Sequence, residues 1–288
     1  MSRLVKFTLT LIALAILCLL YGFFIEPRLL KIRHVTLTSQ NYEGPALRIA
    51  LLSDIHIGGH YVPAARVETI AARVNALSPD IILIPGDFIN GHKPRSEHKA
   101  AFNTEIDKGL SALAALEAPL GVFASIGNHD VWYDAAFVED MLKGSGLTVL
   151  RNKAINLPNE ICIVGLADHD TQWEDAKSFE ECETGAAPIA LMHSPDSFPL
   201  LRSDTALAVA GHTHGGQINL PLIGRRVTAT AAGKKYAYGA VDVNGIPAFV
   251  TAGIGTSILP ARFRSPPEIV LVRLRPDPWG RNAPFYQP

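Results

Sequence analysis

Gly211-His212-Thr213-His214-Gly215-Gly216-Gln217 sets two imidazoles in a glycine-rich turn directly after the apolar run 206–210. Four earlier segments share that plan, an apolar run delivering polar donors: Asp54-Ile55-His56, Gly86-Asp87, Gly127-Asn128-His129-Asp130 and His193. Each residue alone has an ordinary reading. Asp54 or Asp87 serves as a helix N-cap, Asn128 as a turn residue, His193 as an interior hydrogen-bonded histidine. Five such segments in series are better explained as one donor set of oxygen and imidazole without thiolate, which suits divalent Mn, Fe or Zn. Two cations about 3.5–4 Å apart need a bridging carboxylate to offset their repulsion. The pattern points to a two-metal hydrolase. The three cysteines, Cys18, Cys162 and Cys182, form no Cys-x-x-Cys pair and offer no zinc spacing.

Short apolar runs alternate with amphipathic segments, as strands alternate with helices. The predicted strands are 47–52, 81–84, 121–125, 161–165, 189–192 and 207–210. Ala65, Val67, Ile70, Val74 and Leu77 stand near helical spacing and predict a helix over 64–77, with Pro63 suited to its start. Residues 105–116 and 135–142 read as the next two helices. Asn244-Gly245, between 240–243 and 248–251, predicts a hairpin turn. In α/β sheets the carboxyl ends of strands carry ligands. Each donor segment follows one of these runs, so five loops are expected to converge on one rim.

A chain of 288 residues with 48% hydrophobic and 18% charged content can bury one large core. Net charge is -1, which provides no broad field for holding duplex nucleic acid; a small or lipidic phosphate fits better. From Phe7 to Ile25 there is no charged residue, 19 positions that at about 1.5 Å rise span roughly 28 Å, the thickness of a hydrocarbon core. A cleaved signal peptide has a shorter apolar region and a small-x-small cleavage site, and Tyr21-Gly22-Phe23-Phe24 offers none. A single-pass anchor in the cell membrane is expected. Arg3 and Lys6 on one side face Arg28, Lys31 and Arg33 on the other, so charge does not choose the side of the catalytic domain. The expected organisation is a tail at 1–6, a transmembrane anchor at 7–25, a juxtamembrane linker at 26–44, a catalytic domain at 45–275 and a proline-rich tail at 276–288. Cys18 lies in the anchor, while Cys162 and Cys182 stand either as a disulfide or as two buried thiols.

The ordered series Asp54-x-His56, Gly86-Asp87, Gly127-Asn128-His129-Asp130, His193, Gly211-His212-x-His214 resembles the calcineurin-like metallophosphoesterases over roughly Leu47 to Gln217. The resemblance implies an α/β fold, a four-layered αββα sandwich, here preceded by one N-terminal transmembrane helix. It also implies two divalent metal ions. Asp54, His56 and His214 would hold one ion, Asn128, His193 and His212 the other, with Asp87 bridging and a metal-bridging hydroxide attacking phosphorus in line. His129 matches the family's catalytic histidine, which protonates the leaving oxygen or stabilises the transition state. Asp130 either orients His129 or holds the turn.

Gly253-Ile254-Gly255-Thr256-Ser257 and Leu259-Pro260-Ala261-Arg262-Phe263 with Pro267-Glu268 resemble the bacterial branch that carries an N-terminal anchor or export signal. That branch includes phosphodiesterases and a lipid A pathway enzyme hydrolysing a UDP-linked diacylated sugar. The expected activity is hydrolysis of a phosphodiester or pyrophosphate bond in a small-molecule, lipid-linked or nucleotide-linked substrate. The alternatives are a membrane-tethered metal-binding scaffold without catalysis, and a nuclease. Arg262 and Arg264 either pair a substrate phosphate or serve packing. Trp132 and Tyr133 flank the cleft or cover the core. His60, His92, His98 and His169 match no motif, and Asp168-His169-Asp170 is left outside the site.

Overall fold

An apolar run without alternation needs cover on both faces of its sheet. The computed structural model, which describes residues 2–277, uses the runs in that way. In Leu47–Leu51 the side chains of Leu47, Ile49 and Leu51 enter one core while Ala50 enters another. Ile81 and Leu83 likewise face the first core, Ile82 and Ile84 the second.

Two six-stranded sheets result. The first holds β1 (Lys31–Ser39), β2 (Leu47–Leu51), β3 (Ile81–Ile84), β4 (Val122–Ala124), β5 (Thr148–Val149) and β14 (Glu268–Pro276), in the order β1-β14-β2-β3-β4-β5. The second holds β6 (Lys153–Leu157), β7 (Ile161–Gly165), β8 (Ala187–Leu191), β9 (Leu207–Ala210), β12 (Gly239–Val243) and β13 (Ile246–Val250), in the order β12-β13-β9-β8-β7-β6. A short hairpin, β10 (Asn219–Leu220) with β11 (Gly224–Arg225), stands apart from both. Strands β2 to β5 run parallel, as do β7, β8, β9 and β13, so the ligand-bearing ends of each set share one rim.

Leu51, Leu83, Phe123, Ile163, Leu191, Val209 and Phe249 fill the space between the sheets. The outer face of the first sheet is covered by α2 (Ala64–Asn75), α3 (Ala100–Ala112) and α4 (Asn128–Gly144). The outer face of the second is covered by 3-10 segments, Ala176–Glu181 and Pro195–Leu200, which place Phe179 and Phe198 against Val164 and Ala208. This is the expected layering of helix, sheet, sheet and helix, with a thin fourth layer. A disulfide joins Cys162 in β7 to Cys182 at the end of the first 3-10 segment, deciding between the two readings of that pair.

Two boundaries differ from expectation. The segment 26–44, read as a linker, contains β1, which pairs in parallel with β14 along its whole length. Its basic residues disguised it: Lys31 and His34 are exposed, as suits an edge strand, and Arg33 pairs with the buried Glu268 at 3.1 Å. Strand β14 also runs through Pro276, so the expected tail begins inside a strand; residues 278–288 of that tail, and Met1, lie outside the described residues. The helix expected at 135–142 is the second part of α4. Asp134 is extended (φ 179°, ψ 94°), and its carboxylate accepts from Phe137 N–H at 3.1 Å, capping the segment that follows.

Ahead of β1, α1 (Arg3–Leu20) is exposed throughout and continues into a π-helical turn, Tyr21–Ile25. Among the described residues it is the one helix long and apolar enough to cross a membrane. Its end is fastened to the domain. Arg262 N–H donates to Gly22 O at 2.9 Å, and the buried Glu26 carboxylate accepts from Arg264 N–H at 2.9 Å and Ser265 N–H at 2.6 Å.

The two-sheet core predicts unequal costs. Leu83→Ala should lower unfolding free energy by about 2–5 kcal/mol, while Thr36→Ala on the exposed edge should stay within about 0.5 kcal/mol. Urea titration of the full chain in detergent measures both, and equal losses would contradict this assignment of the core.

Candidate metal centre

Every donor segment emerges from the carboxyl end of a strand. The first sheet contributes Asp54 and His56 after β2, Asp87 after β3, and Asn128 and His129 after β4; the second contributes His193 after β8 and His212 and His214 after β9. Asp54, His56, Asp87, His212 and His214 all have left-handed backbone, with φ between 49° and 66°. That conformation costs roughly 1–2 kcal/mol for a residue with a Cβ, and it persists where surrounding contacts over-determine it. Here the loops tie to each other: Asp54 N–H donates to Gly86 O at 3.0 Å and His56 N–H to Asp87 O at 3.1 Å. Two glycines make the approach possible. A Cβ on Gly127 would strike the Asp87 carboxylate, and one on Gly211 would strike Ser53 and the Asp54 carboxylate.

The donors meet in two overlapping groups around Asp87. In one, His193 Nε2 lies 3.0 Å from His212 Nδ1, 3.1 Å from Asn128 Oδ1 and 3.4 Å from Asp87 Oδ2. Their protons are directed elsewhere: His193 Nδ1–H donates to Pro85 O at 2.6 Å, and His212 Nε2–H faces Asp170 Oδ2 at 3.3 Å. His193 Nε2, His212 Nδ1, Asn128 Oδ1 and Asp87 Oδ2 therefore converge on one point, a donor set that a divalent cation would satisfy. In the other group, His56 Nε2 and His214 Nε2 lie 3.1 Å apart, with Asp54 Oδ1 3.6 Å from His214 Nε2 and Asp87 Oδ2 3.6 Å from His56 Nε2. His129 sits at the edge, its Nε2 4.0 Å from Asp87 Oδ2 and 3.3 Å from Ser257 Oγ. Asp54, His56 and His214 form one set able to hold a metal ion and Asp87, His193 and His212 another, with His56, Asp87 and His129 a third that overlaps both, so the residues fit two divalent cations.

The electrostatics agree with that fit. Burial drives His56 down to about 3, His212 down to about 4 and His214 well below its ordinary value, so all three are neutral, the form that binds metal. Burial pushes Asp54 up to about 7, with the Asp87 charge adding to the rise. Burial would also raise Asp87, but His193, His129 and His56 around it hold it well below the usual carboxylate range. His193 is the counterpart: burial would lower it, and the Asp87 carboxylate holds it well above its ordinary value. The centre attracts positive charge to the shared carboxylate.

Residues 47–216 match the family described as calcineurin-like phosphoesterase, a stretch that covers more than half of the chain and contains every donor named above. The chain belongs to the calcineurin-like phosphoesterase family. Its named relatives include a pyrophosphatase and a phosphodiesterase, and it is a phosphoester hydrolase. It is similar to the Bacillus subtilis metallophosphoesterase YkuE, 29% identical over 267 residues that span 88% of this chain and 89% of that one. UDP-2,3-diacylglucosamine pyrophosphatase LpxG of Chlamydia trachomatis is 26% identical over 333 residues, spanning 93% and 96%. Phosphodiesterase YaeI of Escherichia coli is 29% identical over 239 residues, spanning 79% and 82%. These relatives place the phosphoesterase in a bacterial branch.

Several residues around the phosphoesterase centre have roles that the motifs left open. Asp130 holds loops rather than His129: its carboxylate accepts from Ile89 N–H and Gly127 N–H, each at 3.0 Å. Arg262 is wholly buried, and its guanidinium donates to the carbonyls of Ala252 at 2.8 Å, Gly255 at 2.6 Å and Ser265 at 2.8 Å. It packs the loops behind His214 and is not free to pair a phosphate. Trp132 is half-exposed beside the His129 ring, 4.9 Å away, while Tyr133 is buried and donates to Asn103 Oδ1 at 2.7 Å. His92 flanks His129 from the other side at 4.5 Å between rings.

Asp170, left out of the site on sequence, reaches it through His212. Its loop is built for that purpose, since the buried Asp168 accepts from Thr171 N–H at 3.0 Å and Thr171 Oγ1–H at 2.6 Å. The signal was available: the loop follows β7 as the donor loops follow their strands. A carboxylate behind a ligating imidazole raises its basicity, and its removal typically costs 10–100-fold in metal affinity. Asp170→Ala should therefore weaken one of two bound ions by roughly 10–100-fold. Metal titration against a competing chelator reads this directly, and unchanged affinity for both ions would remove Asp170 from the centre.

Proposed function

We propose that this phosphoesterase is a membrane-anchored, two-metal hydrolase acting on a phosphodiester or pyrophosphate bond in a lipid-linked or nucleotide-linked substrate. The observation that carries the reading is the convergence of four nitrogen and oxygen atoms around His193, joined through Asp87 to the set around His56. In this reading Asp54, His56 and His214 hold one ion, Asn128, His193 and His212 the other, and Asp87 is shared. Bound there, two divalent cations offset phosphoryl charge and lower the pKa of a coordinated water. Mn, Fe and Zn suit a nitrogen and oxygen set without thiolate.

The chain's own contribution lies in placement. His129, whose Nε2 lies at the edge of the cluster and 3.3 Å from Ser257 Oγ, would protonate the departing oxygen or stabilise the transition state. Burial lowers the proton affinity of that imidazole, and the Asp87 charge opposes the fall. Half-exposed Trp132 forms a wall beside it.

Two further observations support the cellular setting. The residues from Tyr21 to Glu26 are integrated with the domain through Gly22 and Glu26, which favours retention of α1 as an anchor over its removal as a signal. The Cys162–Cys182 disulfide favours a domain on the oxidising side of that membrane. LpxG and YaeI, named as a pyrophosphatase and a phosphodiesterase, bracket the reaction.

The test uses the full chain in detergent, metal-stripped and then resupplied with Mn, Fe, Zn or Mg, against a chromogenic diester, a monoester and an acylated or deacylated UDP-sugar. Hydrolysis should return with metal and favour diester or pyrophosphate over monoester. His129→Ala should depress turnover by roughly 10²–10⁴-fold while metal content holds, whereas Asp87→Ala should lose both. Equal metal loss in the two variants would overturn the role assignment, and inactivity with two ions bound would favour a scaffold without catalysis.

A further inference from the structure

Apolar side chains of the catalytic domain are largely buried, yet Leu222, Ile223, Ile258 and Leu259 are exposed, Leu222 at 108% and Ile258 at 94%. They belong to two segments that are locked together. One is the β10–β11 hairpin, which turns through Pro221-Leu222-Ile223; the other is the loop 257–263. Asn219 N–H donates to Phe263 O at 2.8 Å and Phe263 N–H to Gln217 O at 3.0 Å. The Gln217 amide closes the unit, donating to Leu259 O at 2.7 Å and accepting from Ser257 N–H at 3.0 Å.

This unit is also where α1 meets the domain. Besides the bond from Arg262 N–H to Gly22 O, the Phe263 ring stands edge-on to Tyr21 at 6.1 Å, and the Tyr61 hydroxyl contacts both Phe23 O and Pro260 O. The apolar tips therefore neighbour the point at which an apolar, fully exposed helix leaves the domain. Exposed Arg226, Lys234 and Arg264 lie in the same segments or beside them, with Lys234 Nζ next to Gly224 of the hairpin. Apolar tips ringed by cations suit the interface of an anionic leaflet. Leu222 and Ile258 both have positive φ, 65° and 59°, a conformation disfavoured for either and most for a β-branched residue.

We propose that the 219–225 hairpin and the 257–263 loop dock their apolar tips into the anionic leaflet that α1 enters, so that the catalytic centre opens at headgroup depth. Ser257 makes the connection to the site, since its Oγ contacts His129 Nε2 one residue before Ile258. A phosphoester carried by a lipid then reaches the donors without leaving the leaflet. The inference rests on the reading of α1 as an anchor and extends it from a tether to an orientation.

The experiment places an environment-sensitive fluorophore on single thiols of the full chain in vesicles of phosphatidylcholine with phosphatidylglycerol, and adds lipids with quenchers on their acyl chains. The native Cys18 in α1 reports the anchor. Leu222→Cys and Ile258→Cys, in a Cys18→Ser background, report the tips. Asn159→Cys, on the exposed turn before β7 and away from the ligand rim, is the aqueous control. Quenching at Cys18 and at both tips but not at the control is expected, with weaker tip quenching when the anionic lipid is omitted. Quenching at Cys18 with tips as unquenched as the control would overturn the docking while leaving the anchor in place. Loss of quenching at Cys18 as well would overturn both. Equal tip quenching in neutral vesicles would overturn the role given to the cations.

Discussion

The centre of this molecule is shared between two sheets, and neither can make it alone. Asp54, His56, Asp87 and Asn128 come from the first sheet, His193, His212 and His214 from the second. Each of the two donor groups takes members from both, as in Asp54 and His56 with His214, or Asn128 with His193 and His212. The hydrophobic contact between the sheets, built from side chains such as Leu83, Leu191 and Val209, is therefore the interaction on which the chemistry depends. It must hold together a crowded set of buried polar groups, and the burial of apolar surface is the term large enough to do so.

That requirement explains the local backbone. A strand that stops in a left-handed residue turns its next side chains across the rim instead of along it, and five donor residues adopt this conformation. The strain is distributed over hydrogen bonds between loops, such as those of Gly86 with Asp54 and of the Asp54 carboxylate with His212 N–H at 3.0 Å. Behind them, Arg262 gathers three loop carbonyls in a buried fork, a role for which a planar guanidinium with several fixed donors is suited. The same residue, through its backbone, bonds Gly22 at the end of α1. The apolar helix α1 and the donor loops are thus connected through one short segment, 257–265.

Much of this architecture was legible in the chain. Strands 81–84, 161–165 and 207–210 match residue for residue, because an apolar run covered on both faces has few other uses. β1 was not legible, since an edge strand needs one half-buried face only and Lys31, Arg33 and His34 resemble the basic flank of a membrane helix. The fourth layer was equally obscure: 3-10 segments of six residues carry no helical periodicity to detect. Among site residues, the motifs named side chains that the fold does bring within 3–4 Å of a neighbour in the cluster, whereas Asp170 and Ser257 belong to no metal-ligand motif and enter only through single contacts with His212 and His129.

The division follows from what each level of organisation encodes. The sequence by itself determined which residues can act as donors, where strands end to release them, and that an apolar helix of membrane length precedes the domain. These are local properties, set by side-chain type and by hydrophobic period along a few residues. Only the tertiary structure decided that Cys162 reaches Cys182, that Arg262 is buried under its own loops, that Glu26 caps the segment behind the site, and that the exposed tips at Leu222 and Ile258 sit beside the end of α1. Those facts depend on how the two sheets pack and on contacts between residues far apart in sequence, 239 positions for Glu26 and Ser265, which no local pattern records.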